Sequence, residues 1–247
     1  MTSRELQFEP SIDIPWLSIG VLGSAGLVIF ENNLAPDHCR WCNPPKLDSR
    51  LRNQLMWSKP ELAQSLSHLS AYGLLPLTMI GLSYFDDEIQ RKNQSSLWMD
   101  ATLLIEAATT AEILAKSIQF MSGRKRPLAF FDQNKSIEPE DHTSFVSGHT
   151  SVAFAMAVTA GSYAQARGSR FSPWIWTSGL SLAATTAYLR MASDHHYFTD
   201  VLMGAALGSS VGFLVPYLRF QWNGPYQRDA RIQLTPISHG LAAQMRW

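Results

Sequence analysis

Four stretches of this chain run for the length of a membrane-crossing helix without one Asp, Glu, Lys or Arg: Leu62 to Phe85, Thr143 to Ala166, Phe171 to Leu189 and Val201 to Leu218. A helix that spans a bilayer needs about 20 mostly apolar residues, within a range of about 17–25. Pro15 to Phe30 is a fifth, shorter run. A sixth segment, Met99 to Phe120, reads as a helix but holds Asp100, Glu106, Glu112 and Lys116. Ionisable groups at membrane depth are costly and face a bundle interior or a wet cavity. The expected fold class is therefore all-α, a six-helix transmembrane bundle. The alternative is a soluble bundle with unusually apolar helices. The charged fraction of 16% sides with the membrane, because soluble domains carry roughly 25%. The mean hydropathy of −0.07 sides with the soluble alternative.

Polar, turn-rich stretches separate the runs. Residues 32–60, with Pro36, Asn43-Pro44-Pro45 and Pro60, read as a loop holding one short helix. The first run reads as a retained helix: only Arg4 precedes it as a cation, and an Ala-x-Ala cleavage pattern is missing. The whole chain, 1–247, reads as one domain with a catalytic core at about 99–218 and a polar tail from 219. The tail end alternates in polarity and suggests a small hairpin around Ser238-His239-Gly240. With six helices both termini share one side, and loops 32–60, 122–142 and 191–195 share the other. Lys and Arg divide 10 to 9 between the two sides, so the positive-inside rule does not orient the chain. A formal net charge of zero gives no field for nucleic acid, and no required protein partner is evident. Cys39 and Cys42 stand in Cys-Arg-Trp-Cys. Two cysteines do not complete a zinc site; a disulfide, a redox pair or two free thiols remain open.

Three clusters on the second side carry chemistry. The first is Gly123-Arg124-Lys125-Arg126-Pro127, where a guanidinium fork suits phosphate oxygens. The second is Ser147-Gly148-His149 at the start of an apolar run. Ser147 suits a helix N-cap, free amides there attract an anion, and His149 can act as a general acid. The third is Arg190 with His196 and Asp200. The last two are four apart, so on a helix they share a face, and a carboxylate on one imidazole nitrogen frees the other to attack. Taken singly, each cluster also reads as ordinary interface residues or a capped helix.

Together, Arg126-Pro127, Ser147-Gly148-His149 and Arg190-x5-His196-x3-Asp200 resemble the three-part signature of the type 2 phosphatidic acid phosphatase superfamily. That signature runs Lys-x6-Arg-Pro, Pro-Ser-Gly-His and Ser-Arg-x5-His-x3-Asp. The resemblance covers about residues 99–218. It implies an active site at one membrane face and removal of phosphate from a lipid phosphate or diphosphate, with no metal or cofactor. His196 would be the nucleophile that becomes a phosphohistidine, Asp200 its orienting group, and His149 the acid and then base. Arg126, Arg190 and the amides near Ser147 and Gly148 would hold the phosphate. It also implies a multi-pass protein of the cytoplasmic membrane, surrounded by membrane lipids, with the site facing away from the cytoplasm. A soluble acid phosphatase or a vanadate-dependent haloperoxidase shares the signature. A non-catalytic lipid-binding protein with a decayed site is the further alternative.

Three positions depart from the signature. Val146 stands for the proline and Leu189 for the serine, which removes one phosphate hydrogen bond. Gln119 stands for the lysine. Gln119 donates hydrogen bonds but carries no charge, and Lys116, one turn earlier, is expected to pair with Glu112 at i, i+4. A weaker grip on phosphate follows. Among the other histidines, His195 is expected on a different helix face from His196. His38, His68, His142 and His239 are expected to be structural or solvent-facing. Gly204, Gly208 and Gly212, each four apart, mark a seam of close helix contact inside the bundle.

Overall fold

The computed structural model describes residues 10–90, 95–132, 134–223, 232–237 and 240–245. In chain order the helices are α1 (Pro10–Ile29), α2 (Glu31–Leu34), α3 (Lys46–Leu55), α4 (Pro60–His68), α5 (Leu75–Gln90), α6 (Ser95–Ser122), α7 (Pro127–Phe131), α8 (Gly148–Ala166), α9 (Ser172–Ala192) and α10 (Phe198–Asn223). A π-helical turn, Leu69–Leu74, joins α4 to α5, and a 3₁₀ turn, Pro139–His142, precedes α8. Six long helical segments result, with α4 and α5 counted as one, in keeping with the sequence reading. The 32–60 loop holds α3 and most of α2, where one short helix was expected. In the tail, β1 (Ile232–Ile237) pairs antiparallel with β2 (Gly240–Met245). The expected hairpin is present, although Ser238 and His239 lie outside the described residues.

Boundaries follow local chemistry. Proline opens α4 and α7, where its missing N–H costs no hydrogen bond. Gly123, at φ +55°, ends α6 and turns the chain toward Arg124.

α8 is the central element, packed against α6, α9 and α10. Leu75, Met79, Leu104, Val152, Met156 and Ile175 form the main apolar core. The glycine seam joins α10 to α8. A Cβ on Gly208 would sit 2.1 Å from the carbonyl oxygen of Ser151, and one on Gly212 would sit 2.5 Å from that of Ala155. Only glycine permits that approach of two backbones.

Polarity is arranged with charges inside and apolar groups outside. Arg219 on α10 pairs with Asp13 of α1 and Glu106 of α6. Arg167, at the end of α8, pairs with Asp100 of α6. The charges of the sixth segment therefore face the bundle interior. Ile19, Leu22, Leu77, Trp174, Leu202 and Phe213 lie on the outer surface. Among the described helices, Phe198–Arg219 is long and apolar enough by itself to cross a membrane, with a mean hydropathy of 1.7. The other charge-free runs fall short because serine, threonine and glycine dilute them, as Ser151, Thr159 and Gly161 do in α8.

Candidate active site

The candidate residues converge at one end of the bundle. A cavity of about 820 Å³ is lined by Arg126, Gly148, His149, Arg190 and His196, together with Gln119, Glu31, Glu112, Lys116, His68 and His195. Val21, Ala25 and Val28 of α1, with Ala108, Val152 and Met156, continue its wall as an apolar surface.

His196 sits in the turn before α10. Its Nδ1 lies 2.7 Å from the carbonyl oxygen of Ser144. A carbonyl only accepts, so Nδ1 carries the proton and Nε2 keeps its lone pair. Asp200 is 3.8 Å from the same nitrogen, beyond hydrogen-bond reach. The orienting bond expected from Asp200 therefore comes from a backbone carbonyl. The Asp200 carboxylate instead accepts from Ser144 Oγ at 2.6 Å and from the Tyr197 amide at 2.9 Å. It fixes the segment that carries the Ser144 carbonyl. Burial first, then the nearby Arg190 and Arg126 guanidiniums, hold His196 well below the ordinary imidazole range. The ring is therefore neutral near pH 7.

Arg124, read from sequence as one member of a basic run, is buried and braces the site. It bonds Asp200, Asp48 (2.7 Å) and Thr199 Oγ1 (2.7 Å). Its guanidinium lies 3.9 Å from the Trp41 ring centroid and 4.5 Å from that of Tyr197. Trp41 bridges to Arg124 through the backbone, and Trp41 lies inside the loop closed by the Cys39–Cys42 disulfide. Arg52 clamps Asp194 through two bonds of 2.6 and 2.7 Å. No motif flagged Asp48, Ser144, Arg52 or Asp194; their value lies in contacts more than fifty residues away in sequence.

Arg190 is buried. Its one hydrogen bond among the described residues is a 3.4 Å contact with Ser67 Oγ, and its Nε has no partner. Arg126 donates to Thr143 Oγ1 at 3.0 Å, and its Nε also has no partner among the described residues. Two guanidiniums with spare donors facing one cavity suit a bound anion. At the start of α8 the Ser147 amide donates to the Asp200 carbonyl and the Ser147 hydroxyl pairs with Thr150 Oγ1. The open amides therefore begin at Gly148, not at Ser147. A Cβ on Gly148 would meet Glu112 Oε2 at 3.3 Å, so glycine keeps that approach open.

Gln119 donates to the Val146 carbonyl at 2.6 Å, which braces the loop before α8 and occupies the side-chain amide. Lys116 pairs with Glu31 at 2.5 Å, a partner from another helix in place of the expected Glu112. Burial alone would raise the Glu31 carboxyl, but Lys116, Arg126 and Thr143 together hold it below its ordinary value. Glu31 is thus an anion among the cavity's cations.

Two histidines, His195 and His68, differ from expectation, while His142 takes the structural role foreseen for it. His195 lies in the turn rather than on a helix and lines the same cavity as His196. Burial and the same two arginines push it down to about 3. His142 bonds the Pro36 carbonyl, and His68 contacts His149 at 3.0 Å.

The sequence pattern of the PAP2 superfamily matches residues 100–223, half of the chain and every residue of the three clusters. The chain belongs to the PAP2 superfamily. A lipid A 1-phosphatase from Porphyromonas gingivalis is 42% identical over 71 residues, which cover 29% of this chain and 15% of that protein. A PA-phosphatase related-family protein from Dictyostelium discoideum is 27% identical over 163 residues, which cover 62% and 58%. The matches thus span less than two thirds of either relative. The fold of this PAP2 protein is similar to the transmembrane PAP2-type phosphatidylglycerolphosphate phosphatase of Bacillus subtilis, with a TM-score of 0.52 and 16% identity over 85% of this chain and 96% of that one. It is also similar to LpxE of Aquifex aeolicus, with a TM-score of 0.50 and 22% identity over 70% and 96%. These likenesses identify the PAP2 membrane-phosphatase fold.

Proposed function

We propose that this PAP2 protein removes phosphate from a membrane lipid through a phosphohistidine on His196. The observation that carries the reading is the fixed tautomer of His196: Nδ1–H on the Ser144 carbonyl leaves Nε2 as a neutral nucleophile in a cavity with Arg126 and Arg190. In the first half-reaction Nε2 attacks phosphorus, the bond to the lipid oxygen breaks, and His149 protonates that oxygen. In the second, water attacks the phosphohistidine and gives its proton to His149. Arg126, Arg190 and the amides from Gly148 onward offset charge on the phosphoryl oxygens, where fixed donors act most strongly.

The apolar wall beyond the polar end suits an amphiphile, and the relatives' names point to phosphatidylglycerophosphate or a lipid A phosphate as the first compounds to try. We read the chain as crossing the membrane several times. The Cys39–Cys42 disulfide supports a site facing away from the cytoplasm, because disulfides persist in oxidising compartments.

A phosphate-release screen over lipid phosphates, with a chelator present and His196→Ala alongside, tests the proposal. Release by the wild type and none by the variant is expected; equal release by both would remove the mechanism. Gln119 and the Glu31–Lys116 pair favour one second reading, a lipid-binding protein with a decayed site. Binding of lipid phosphates without turnover would support it.

A further inference from the structure

The candidate acid–base residue His149 has a hydrogen-bond partner that the three motifs do not contain. Its Nε2 lies 3.0 Å from Nδ1 of His68, with ring centroids 4.5 Å apart in edge geometry. Tyr72, four residues on, sets its ring 5.0 Å from His149. His68 is the last residue of α4, where the π-helical turn begins, and π-turns of this kind recur at functional sites.

We propose that His68 is a positioning residue for His149, accepting a hydrogen bond at Nδ1 from Nε2–H of His149. The inference rests on the phosphohistidine reading above. With Nε2 engaged, only Nδ1 of His149 is left to serve the reaction. An acid–base imidazole is commonly oriented by a carboxylate. Here the partner is a neutral imidazole. A carboxylate in that position would repel the incoming phosphate, whereas His68 supplies an acceptor without a charge. The role fits the surroundings of His149. Arg190 of α9, Lys116 and Glu112 of α6 and His195 of the turn line the same cavity as His149, and Tyr72 offers its ring. His68 itself faces Arg190 and Tyr72. An acceptor on Nε2 stabilises the imidazolium that must be present when the lipid oxygen leaves.

The protons balance without net transfer to His68. As the P–O bond breaks, its electron pair stays on the lipid oxygen, which takes the Nδ1 proton of His149. His149 is then neutral and still donates Nε2–H to His68. When water attacks the phosphohistidine, the N–P bond returns its pair to His196 and the water proton goes to Nδ1 of His149.

The test uses the full chain in detergent with short-chain phosphatidate as the probe, and compares wild type, His68→Leu and His68→Asn. Asn keeps an acceptor near the Nδ1 position but carries no titrating ring. Loss of the acceptor makes His149 release its proton more readily, so the alkaline limb of kcat in His68→Leu should move down by about one pH unit. kcat at neutral pH should fall about tenfold, with KM within about twofold. His68→Asn should restore the limb. An unmoved limb in His68→Leu, or equal damage in both variants, overturns the role. Titration of the His149 ring by nitrogen NMR in a His196→Ala background needs no turnover. A lower midpoint on adding His68→Leu supports the pair, and an unchanged midpoint refutes it. A wild type inert on every lipid phosphate would count against the function, while this titration still judges His68.

Discussion

The carbonyl oxygen of Ser144 lies 2.7 Å from Nδ1 of His196. The carboxylate four residues after that histidine stands off at 3.8 Å and acts through the backbone segment it anchors. Asp200→Asn keeps the shape of the anchor and loses its charge. We expect kcat to fall about tenfold to a hundredfold, against the ~10⁴-fold typical when a directly bonded orienting carboxylate is changed. Steady-state kinetics on a lipid phosphate decide it; a loss equal to that of His196→Ala would mean a direct bond forms during turnover.

Arg124 joins Asp48 to Asp200 with both carboxylates fully buried. Arg124→Leu strands two buried anions, and breaking one partner of a buried pair costs about 3–5 kcal/mol. Thermal unfolding in detergent should show a fall of many degrees. Arg124→Lys should rescue little, because an ammonium lacks the planar fork that spans two carboxylates.

Glu31 holds Lys116 at 2.5 Å and lies 3.7 Å from Arg126, where a phosphate oxygen would compete with it. Glu31→Gln should lower the inhibition constant of inorganic phosphate severalfold, since one anion leaves the cavity. A raised constant would show that Glu31 arranges the cations rather than occupying them.

His195 titrates at about 3 when folded and near 6.5 when unfolded. Between those values the unfolded chain binds more protons, so stability is complete above about pH 6.5 and declines as pH falls toward 3. Melting temperature against pH should show that slope, and His195→Gln should flatten it. His196, held low by the same burial, adds to the acid slope.

The helices were legible because absence of charge over a helix length is a strong signal, and the glycine seam was legible because its period matches the helix repeat. That His149, Arg190 and His196 line one cavity is what the family resemblance implies; taken singly, each cluster also reads as interface residues. Arg124 was not legible: its importance comes from Asp48, 76 residues away, and sequence offers no period that links them. His68 leaves no signal because no ligand spacing connects it with His149, 81 residues on. Lys116 departs from i, i+4 pairing because that rule describes an isolated helix, while α2 delivers a closer carboxylate from outside. Ser144 left no trace because its carbonyl is a group every residue type possesses, and the partner of its hydroxyl, Asp200, lies 56 residues away.

The seam of Gly204, Gly208 and Gly212 locks α8 to α10 backbone against backbone. His149 opens one of these helices and His196 immediately precedes the other, so the two imidazoles ride on a single stiff chassis. Their spacing is set by main-chain contact between α8 and α10, not by side chains that could repack.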